Sequence, residues 1–219
     1  MFDFNKMIDK HIEREHRPKT VGKYYPSEIG NCIRKLWYSY KYPMEAEPDL
    51  LKIFEVGNIL HGFVTEVLRS EKNKEVQLLK SEFPFKMVEK DFVVSGRVDD
   101  LLLVKEDHKQ ILVEVKSTKD VKYIKKPQSH HETQLMFYML ATDVHDGVIL
   151  YVDKSNLQSK MFEVKFDADK AGKIVDKFRT LDEDLKKDIL PIDEAKRKTD
   201  MLWMCNYCEY KSKCDKNEK

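Results

Sequence analysis

The sequence predicts an α/β domain with a mixed central sheet flanked by helices, followed by a small cysteine-rich appendix. Three observations carry that prediction. Residues 92–104 and 111–117 read as neighbouring strands joined by a turn-type segment, Lys105 to Gln110. Residues 50–70 repeat apolar positions at helical spacing, with Ile53, Val56, Leu60, Phe63, Val64 and Val67 on one stripe. Further strand and helix patterns follow one another down the chain, as in layered α/β domains.

The elements follow in order. Residues 1–20 are polar, carry His11 and His16, and read as a short helix or a loose leader. Ser27 has the chemistry of an N-cap for a helix running through Cys32, Leu36, Trp37 and Tyr40 and stopping before Pro43. Met44 to Asp49 reads as a loop before the helix at 50–70. Strands are expected at 76–79, 83–88, 92–104 and 111–117. Residues 119–128 form a Lys-rich connection containing Pro127. His130 to Thr142 reads as a helix, Val148–Val152 and Met161–Phe166 as strands, and Asp167 to Leu185 as a helix capped by Asp167. There is no internal repeat, no low-complexity linker and no Gly-rich phosphate loop. The whole chain, 1–219, reads as one domain.

The totals narrow the function classes. The chain has 219 residues, 36% of them charged, with a formal net charge of +1. That balance gives no global basic field, so a nucleic-acid partner has to be held by local patches. No apolar run reaches the roughly 18 residues of a membrane span, and the N-terminus does not read as a signal peptide. The expectation is a soluble, cytoplasmic protein with no membrane partner.

The strand pair at 95–116 holds the most informative chemistry. Glu114 and Lys116 are two residues apart and share one face of a strand, while Ile111, Val113 and Val115 face the other way. Charged groups in an apolar strand are costly unless they have a task. Asp99 lies on the preceding strand. Its neighbour Asp100 should point away, so the ligand role falls to Asp99. Two carboxylates with a lysine beside them suit a divalent metal and a phosphate, and the main-chain carbonyl of Val115 adds a further oxygen. The metal would lower the pKa of a bound water, and Lys116 would orient that water or stabilise developing charge. His61, between Gly57 and Gly62 on the apolar helix, would bias such a site towards Mn²⁺ as well as Mg²⁺. Gln134 and Tyr138 are four apart, so they share a helix face. Lys116, Lys119, Lys122, Lys125 and Lys126, with Tyr123 interleaved, form a segment suited to phosphates and base stacking.

Four cysteines are present. Cys205, Cys208 and Cys214 form C-x₂-C-x₅-C near the C-terminus, and Cys32 is the one distant cysteine. Three clustered thiols and a fourth suit a zinc ion or an iron–sulfur cluster, and the chemistry alone leaves both open.

The series His61, Gly96–Asp99, Glu114–Lys116 and Gln134-x₃-Tyr138 resembles the motifs of RecB-type nucleases of the PD-(D/E)xK superfamily. In that family the His, Asp and Glu bind metal, the Lys is catalytic, and the Gln/Tyr helix helps to bind DNA. One N-terminal cysteine plus the C-terminal trio resembles the iron–sulfur group of these nucleases. That group includes the CRISPR-associated Cas-four family, AddB-type nuclease domains and the nuclease part of a replication helicase. The resemblance spans roughly residues 25–215. It implies a 4Fe–4S cluster on Cys32, Cys205, Cys208 and Cys214, clasping segments 27–45 and 200–219 together over the nuclease core. The chain contains no G-x₄-G-K-[ST] motor motif. A free-standing nuclease with this cysteine set looks most like the Cas-four family. That implies single-strand DNA exonuclease activity, a role in processing CRISPR spacers, and CRISPR integrase proteins as partners. A homo-oligomer stays open. The alternatives are an AddB-like repair nuclease subunit, a nucleic-acid-binding or redox-sensing module that does not cut, and a zinc-stabilised adaptor.

Overall fold

The computed structural model describes residues 1–13 and 18–217, and His16 lies outside them. Helix α1 spans Phe4–Ile12, begun by the Asp3 carboxylate, which accepts from the Lys6 N–H. A two-residue strand β1, Lys23–Tyr24, leads into α2, Pro26–Ile29, and α3, Ile33–Lys41. Ser27 therefore lies inside α2 and does not cap one long helix, as its chemistry suggested. The break has a packing cause. Gly30 sits against the backbone of His130, where a Cβ would lie 2.6 Å from His130 Cβ. The chain turns there, and α3 restarts after Cys32 with the Ile33 N–H donating to the buried Glu194 carboxylate at 3.1 Å.

Helix α4, Pro48–Arg69, is the long apolar helix and starts two residues earlier than its periodicity suggested. Strand β2, Val76–Val88, is one strand where two short ones were expected. The expected interruption survives as a register shift between Leu78 and Lys80 and a φ of +43° at Glu82. The strand continues through both because β3, Val93–Val104, offers backbone partners along its whole length. Strand β4 is Gln110–Thr118 and α5 is Ser129–Thr142. Strands β5, Asp146–Asp153, and β6, Ser159–Lys165, form the expected hairpin. Helix α6, Ala168–Lys187, is capped by Asp167 as read. Two short helices, α7 at Glu194–Arg197 and α8 at Lys211–Lys216, flank a 3₁₀ segment, Leu202–Tyr207.

The six strands make one mixed sheet in the order β1-β3-β4-β5-β6, with β2 on the other edge of β3. Strands β4 and β5 are parallel, and α5 makes the crossover between them. One face of the sheet carries the main core. There Leu112, Leu135, Phe137, Met139, Ile149 and Phe178 are buried, and Phe137 meets Phe178 edge-on at 5.2 Å. Gly147 lets α5 approach β5 closely, since a Cβ there would lie 2.6 Å from Met139 Cε. Helix α4 covers the other face through Leu60, Val64, Leu68, Val115, Leu150 and Val152. Among the described residues no helix is long and apolar enough to cross a membrane.

The position of the site follows from one gap in this sheet. On the edge of β3 away from β2, β1 pairs with Val93 and Val94, and β4 pairs with Asp100 to Leu103. Residues 95–99 have no strand partner on that edge. Beyond Val113, β4 leans instead on β5, up to Thr118. The ladder between the two strands ends there, which leaves a gap in the pairing, the cleft of the site, at the C-terminal end of β4.

Candidate active site

Asp99 stands where β3 leaves β4. Its Oδ2 accepts the Val115 N–H at 2.8 Å, taking the place of a backbone partner. The N–H and C=O of one strand residue point to the same edge. The Val115 carbonyl therefore faces the same cleft.

Glu114 is 1% exposed, lies on the α5 face of β4 with Leu112, and its Oε1 is 2.5 Å from Lys116 Nζ. Lys116 Nζ also donates to Gln134 Oε1 at 3.0 Å, and Gln134 Nε2 donates to the Tyr138 hydroxyl at 2.9 Å. The i, i+4 pair on α5 thus holds the lysine. From α4, His61 Nε2 comes to 3.6 Å from Asp99 Oδ2 and 3.9 Å from Asp100 Oδ2. Asp100 is fully buried and turned to α4, where Thr65 Oγ1 donates to its Oδ1 at 3.3 Å. It does not leave the site altogether, as strand alternation suggested, because His61 lies between the two aspartates.

The electrostatics follow from this crowding. Burial, aided by Asp99, pushes the Glu114 carboxyl up to about 7. Burial likewise pushes Asp99 up to about 7, against the pull of Lys116 and the Val115 N–H. Burial alone would lower Lys116, but Glu114 and Asp99 outweigh it and hold the ammonium above its ordinary value. Two carboxylates at this cost without a cation are a destabilising arrangement.

Two atoms indicate what the arrangement lacks. His61 Nε2 and Glu114 Oε2 are buried and have no hydrogen-bond partner. His61 Nε2 lies 3.6 Å from Asp99 Oδ2, and the Asp99 charge acts on the Glu114 carboxyl; nitrogen and oxygen donors of this kind suit Mg²⁺ or Mn²⁺. The donor chemistry suits such a metal, but among the described residues no three His, Cys, Asp or Glu side chains stand together as a group that could hold one. The carboxylates are instead drawn to Lys116 and to the Val115 N–H.

Lys119 follows the end of β4, and Lys122 and Tyr123 lie in a 3₁₀ turn at Val121–Tyr123 on the connection to α5. Tyr123 is 81% exposed. Among the described residues no hydrogen bond or ion pair joins these three to the Asp99–Glu114–Lys116 group.

Cys32, Cys205, Cys208 and Cys214 line one cavity and form no disulfide. Arg34, Lys35, Lys196 and Lys211 line it too, and Arg34 Nη1 is 3.6 Å from Cys214 Sγ. Asp193 lines it as well, and among the described residues the four thiols do not stand together as a group that could hold a metal. The C-terminal segment is fastened to α3 around the cavity. Tyr38 stacks on Tyr210 at 5.6 Å, and Tyr210 donates to the Tyr42 carbonyl at 3.0 Å. Glu194 adds a buried ion pair with Lys177 at 2.7 Å, and Lys177 also donates to the Asn31 carbonyl.

Sequence reasoning missed a ring cluster at the start of α5. His131 Nδ1 lies 2.9 Å from the Tyr151 hydroxyl, and Tyr151 is the β5 partner of Lys116. His130 packs on His131 at 4.0 Å and on Trp203 at 5.5 Å. Burial, reinforced by Lys116, depresses His130 to about 4 and His131 to about 2, so both rings are neutral at pH 7. The adjacent histidines were the one signal in the sequence that marked this spot.

A family model for the PD-(D/E)XK nuclease superfamily matches residues 27–215, and the chain belongs to that superfamily. Its members use divalent metals such as Mg²⁺ or Mn²⁺. No curated protein matches the chain. Among solved structures it is similar to SSO0001, at 18% identity and a TM-score of 0.60, over 94% of this chain and 90% of that one. It is also similar to a phage-related exonuclease from Haemophilus somnus 129PT, at 13% identity and a TM-score of 0.55, over 85% and 98%. A third is LHK-Exo, an alkaline exonuclease from Laribacter hongkongensis, in complex with dAMP. There the identity is 14% and the TM-score 0.54, over 77% of this chain and 90% of that one. At these identities the likeness is one of fold.

Proposed function

We propose that this chain is a metal-dependent deoxyribonuclease that degrades single-stranded DNA from its ends. The observation that carries the reading is the cleft at β3 and β4, where Asp99, Glu114 and Lys116 converge beside two buried atoms without partners, His61 Nε2 and Glu114 Oε2. His61, Asp99, Glu114 and the Val115 carbonyl would hold the metal. When bound, a divalent cation supplies Lewis acidity and makes a water nucleophilic near neutral pH. Lys116 keeps its proton, and its ammonium offsets negative charge developing on the phosphate oxygens. Gln134 fixes where that ammonium points, and Tyr138 fixes Gln134. Lys119, Lys122 and Tyr123 would take the DNA strand as it leaves the cleft. One similar structure, the phage-related exonuclease, bears the word exonuclease in its name, which supports action at ends.

The cysteine cavity extends the reading. We assign a 4Fe–4S cluster to Cys32, Cys205, Cys208 and Cys214, with the structural task of joining the C-terminal segment to α3. This rests on the four-thiol cavity and on the resemblance to the Cas-four family. The same resemblance supports a place in processing DNA ends for CRISPR adaptation, with integrase proteins as partners.

The test is cleavage of end-labelled single- and double-stranded DNA with Mn²⁺, Mg²⁺ or EDTA, with Lys116→Ala run in parallel. Metal-dependent loss of single strands by the wild type alone is expected. Cleavage in EDTA, or undiminished cleavage by Lys116→Ala, overturns the mechanism. Tight DNA binding with no cleavage under any condition would make the chain a binding module.

A further inference from the structure

Resting on the nuclease reading, we propose that Trp203 and Tyr207 form a nucleobase-stacking subsite for the single-stranded substrate, one helical turn of α5 outside the cleft. Trp203 is 45% exposed and Tyr207 is 79% exposed, and their rings meet edge-on at 6.4 Å. Two large aromatic rings in one short 3₁₀ segment, both left in water, are not explained by the core. Their position is fixed by His130, on which Trp203 packs. His130 and Gln134 are four apart on α5, so they share a face and are separated along the helix axis by about 6 Å. Trp203 therefore lies one turn beyond the residue that holds Lys116.

The surroundings favour a base over a phosphate. The hollow beside Trp203 is lined by Lys126, Gln128, Ser129, His130, Glu132 and Asp200. The two carboxylates repel a phosphate but accept hydrogen bonds from ring N–H and amino groups of a base. His130 Nδ1 is buried there without a partner. The cations needed for the backbone come just before it, at Lys119, Lys122, Lys125 and Lys126, none of which is ion-paired among the described residues. Stacking rings flanked by a basic track are the recurrent means of holding an unpaired strand, since every base has a π face while a duplex keeps its faces covered.

The probe is an oligothymidylate in EDTA, so that binding is read without cleavage. A version carrying 5-iodouracil is photocrosslinked to the wild type and the modified peptides are mapped. Crosslinks at Trp203 or Tyr207 are expected. By fluorescence anisotropy, Trp203→Ala should bind the oligothymidylate on the order of tenfold more weakly, Trp203→Phe should recover much of the loss, and duplex DNA of equal length should be little affected. Unchanged binding by Trp203→Ala with crosslinks confined elsewhere overturns the subsite, and the nuclease reading survives if metal-dependent cleavage persists. If Trp203→Ala fails to fold, the crosslinks on the wild type decide the matter. Crosslinks at Trp203 in a protein that never cleaves would keep the subsite and overturn the nuclease.

Discussion

Replacing Glu114 with glutamine should make the metal-free protein more stable at pH 8 and remove most of its response to Mn²⁺. Glu114 is buried, one of its oxygens has no partner, and its carboxyl is pushed from 4.5 to about 7, first by burial and then by Asp99. The sign follows from linkage. The native state holds this proton more tightly than the unfolded chain does, so the group costs stability as pH rises from 4.5 through 7, and the full cost is present above 7. A displacement of that size is worth about 3 kcal/mol at roughly 1.4 kcal/mol per unit. Glutamine keeps the shape and removes the charge. Against this gain stands the lost ion pair with Lys116, which keeps its bond to Gln134 and the field of Asp99. A net gain of about 1–2 kcal/mol raises the melting temperature by roughly 2–8 °C in a chain of this size. Circular dichroism melts in EDTA at pH 5 and pH 8 provide the measurement. The two proteins should melt alike at pH 5, the variant should melt higher at pH 8, and added Mn²⁺ should lift the wild type far more. A variant that melts below the wild type at pH 8 in EDTA would refute the reasoning, because it would mean that Lys116 fully compensates the buried charge.

Other outcomes follow from the same geometry. Lys116→Ala should lower the single-turnover cleavage rate by about 10²–10³-fold with an unchanged far-ultraviolet spectrum; a tenfold loss or less would remove Lys116 from the reaction. At limiting Mn²⁺, cleavage should rise with pH through about 7, where Asp99 and Glu114 shed the protons that compete with the cation, and more Mn²⁺ should move the midpoint down; a flat profile between pH 6 and 8 would count against both ligands. Gly30→Ala puts a Cβ within 2.7 Å of His130 backbone atoms and should cost about 1–3 kcal/mol. Gly172→Ala on α6 meets no atom within 4 Å and should gain about 0.5–1 kcal/mol, and paired denaturation curves would expose an error in either sign. Protein purified without oxygen should be coloured, and Cys208→Ala should lose the colour and melt lower before it loses activity; a colourless, stable and fully active variant would sink the cluster assignment.

The site was legible where local periodicity determines which side chains share a face. Two-residue spacing put Glu114 and Lys116 together, and four-residue spacing put Gln134 and Tyr138 together, whatever the rest of the fold does. Asp99 was legible only as a carboxylate on the preceding strand, because β3 has already parted from β4 at its position. Features that depend on distant packing were not legible. Ser27 has N-cap chemistry, but the helix break is imposed by His130, 100 positions later, pressing on Gly30. The halves of β2 read as two strands separated at Lys80 to Glu82, yet the hydrogen bonds of β3 carry the strand through. Asp100 was read from ideal alternation, which the irregular backbone around Glu82 and Asp99 does not keep. Nothing local tells that Trp203 meets His130 or that His131 meets Tyr151.

The seam between β3 and β4 is only four residue pairs long, Asp100 to Leu103 against Val113 to Gln110. The sheet is therefore two three-stranded leaves, β2-β3-β1 and β4-β5-β6, sharing a short spine. At the open end of that spine the Val115 amide is held by the Asp99 carboxylate. Any group that claims Asp99 releases this amide. Amide hydrogen exchange at Val115 thus becomes a gauge of how far the leaves part. It should speed up when a cation takes Asp99, while the amides of Leu102 and Ile111, deeper in the seam, stay protected.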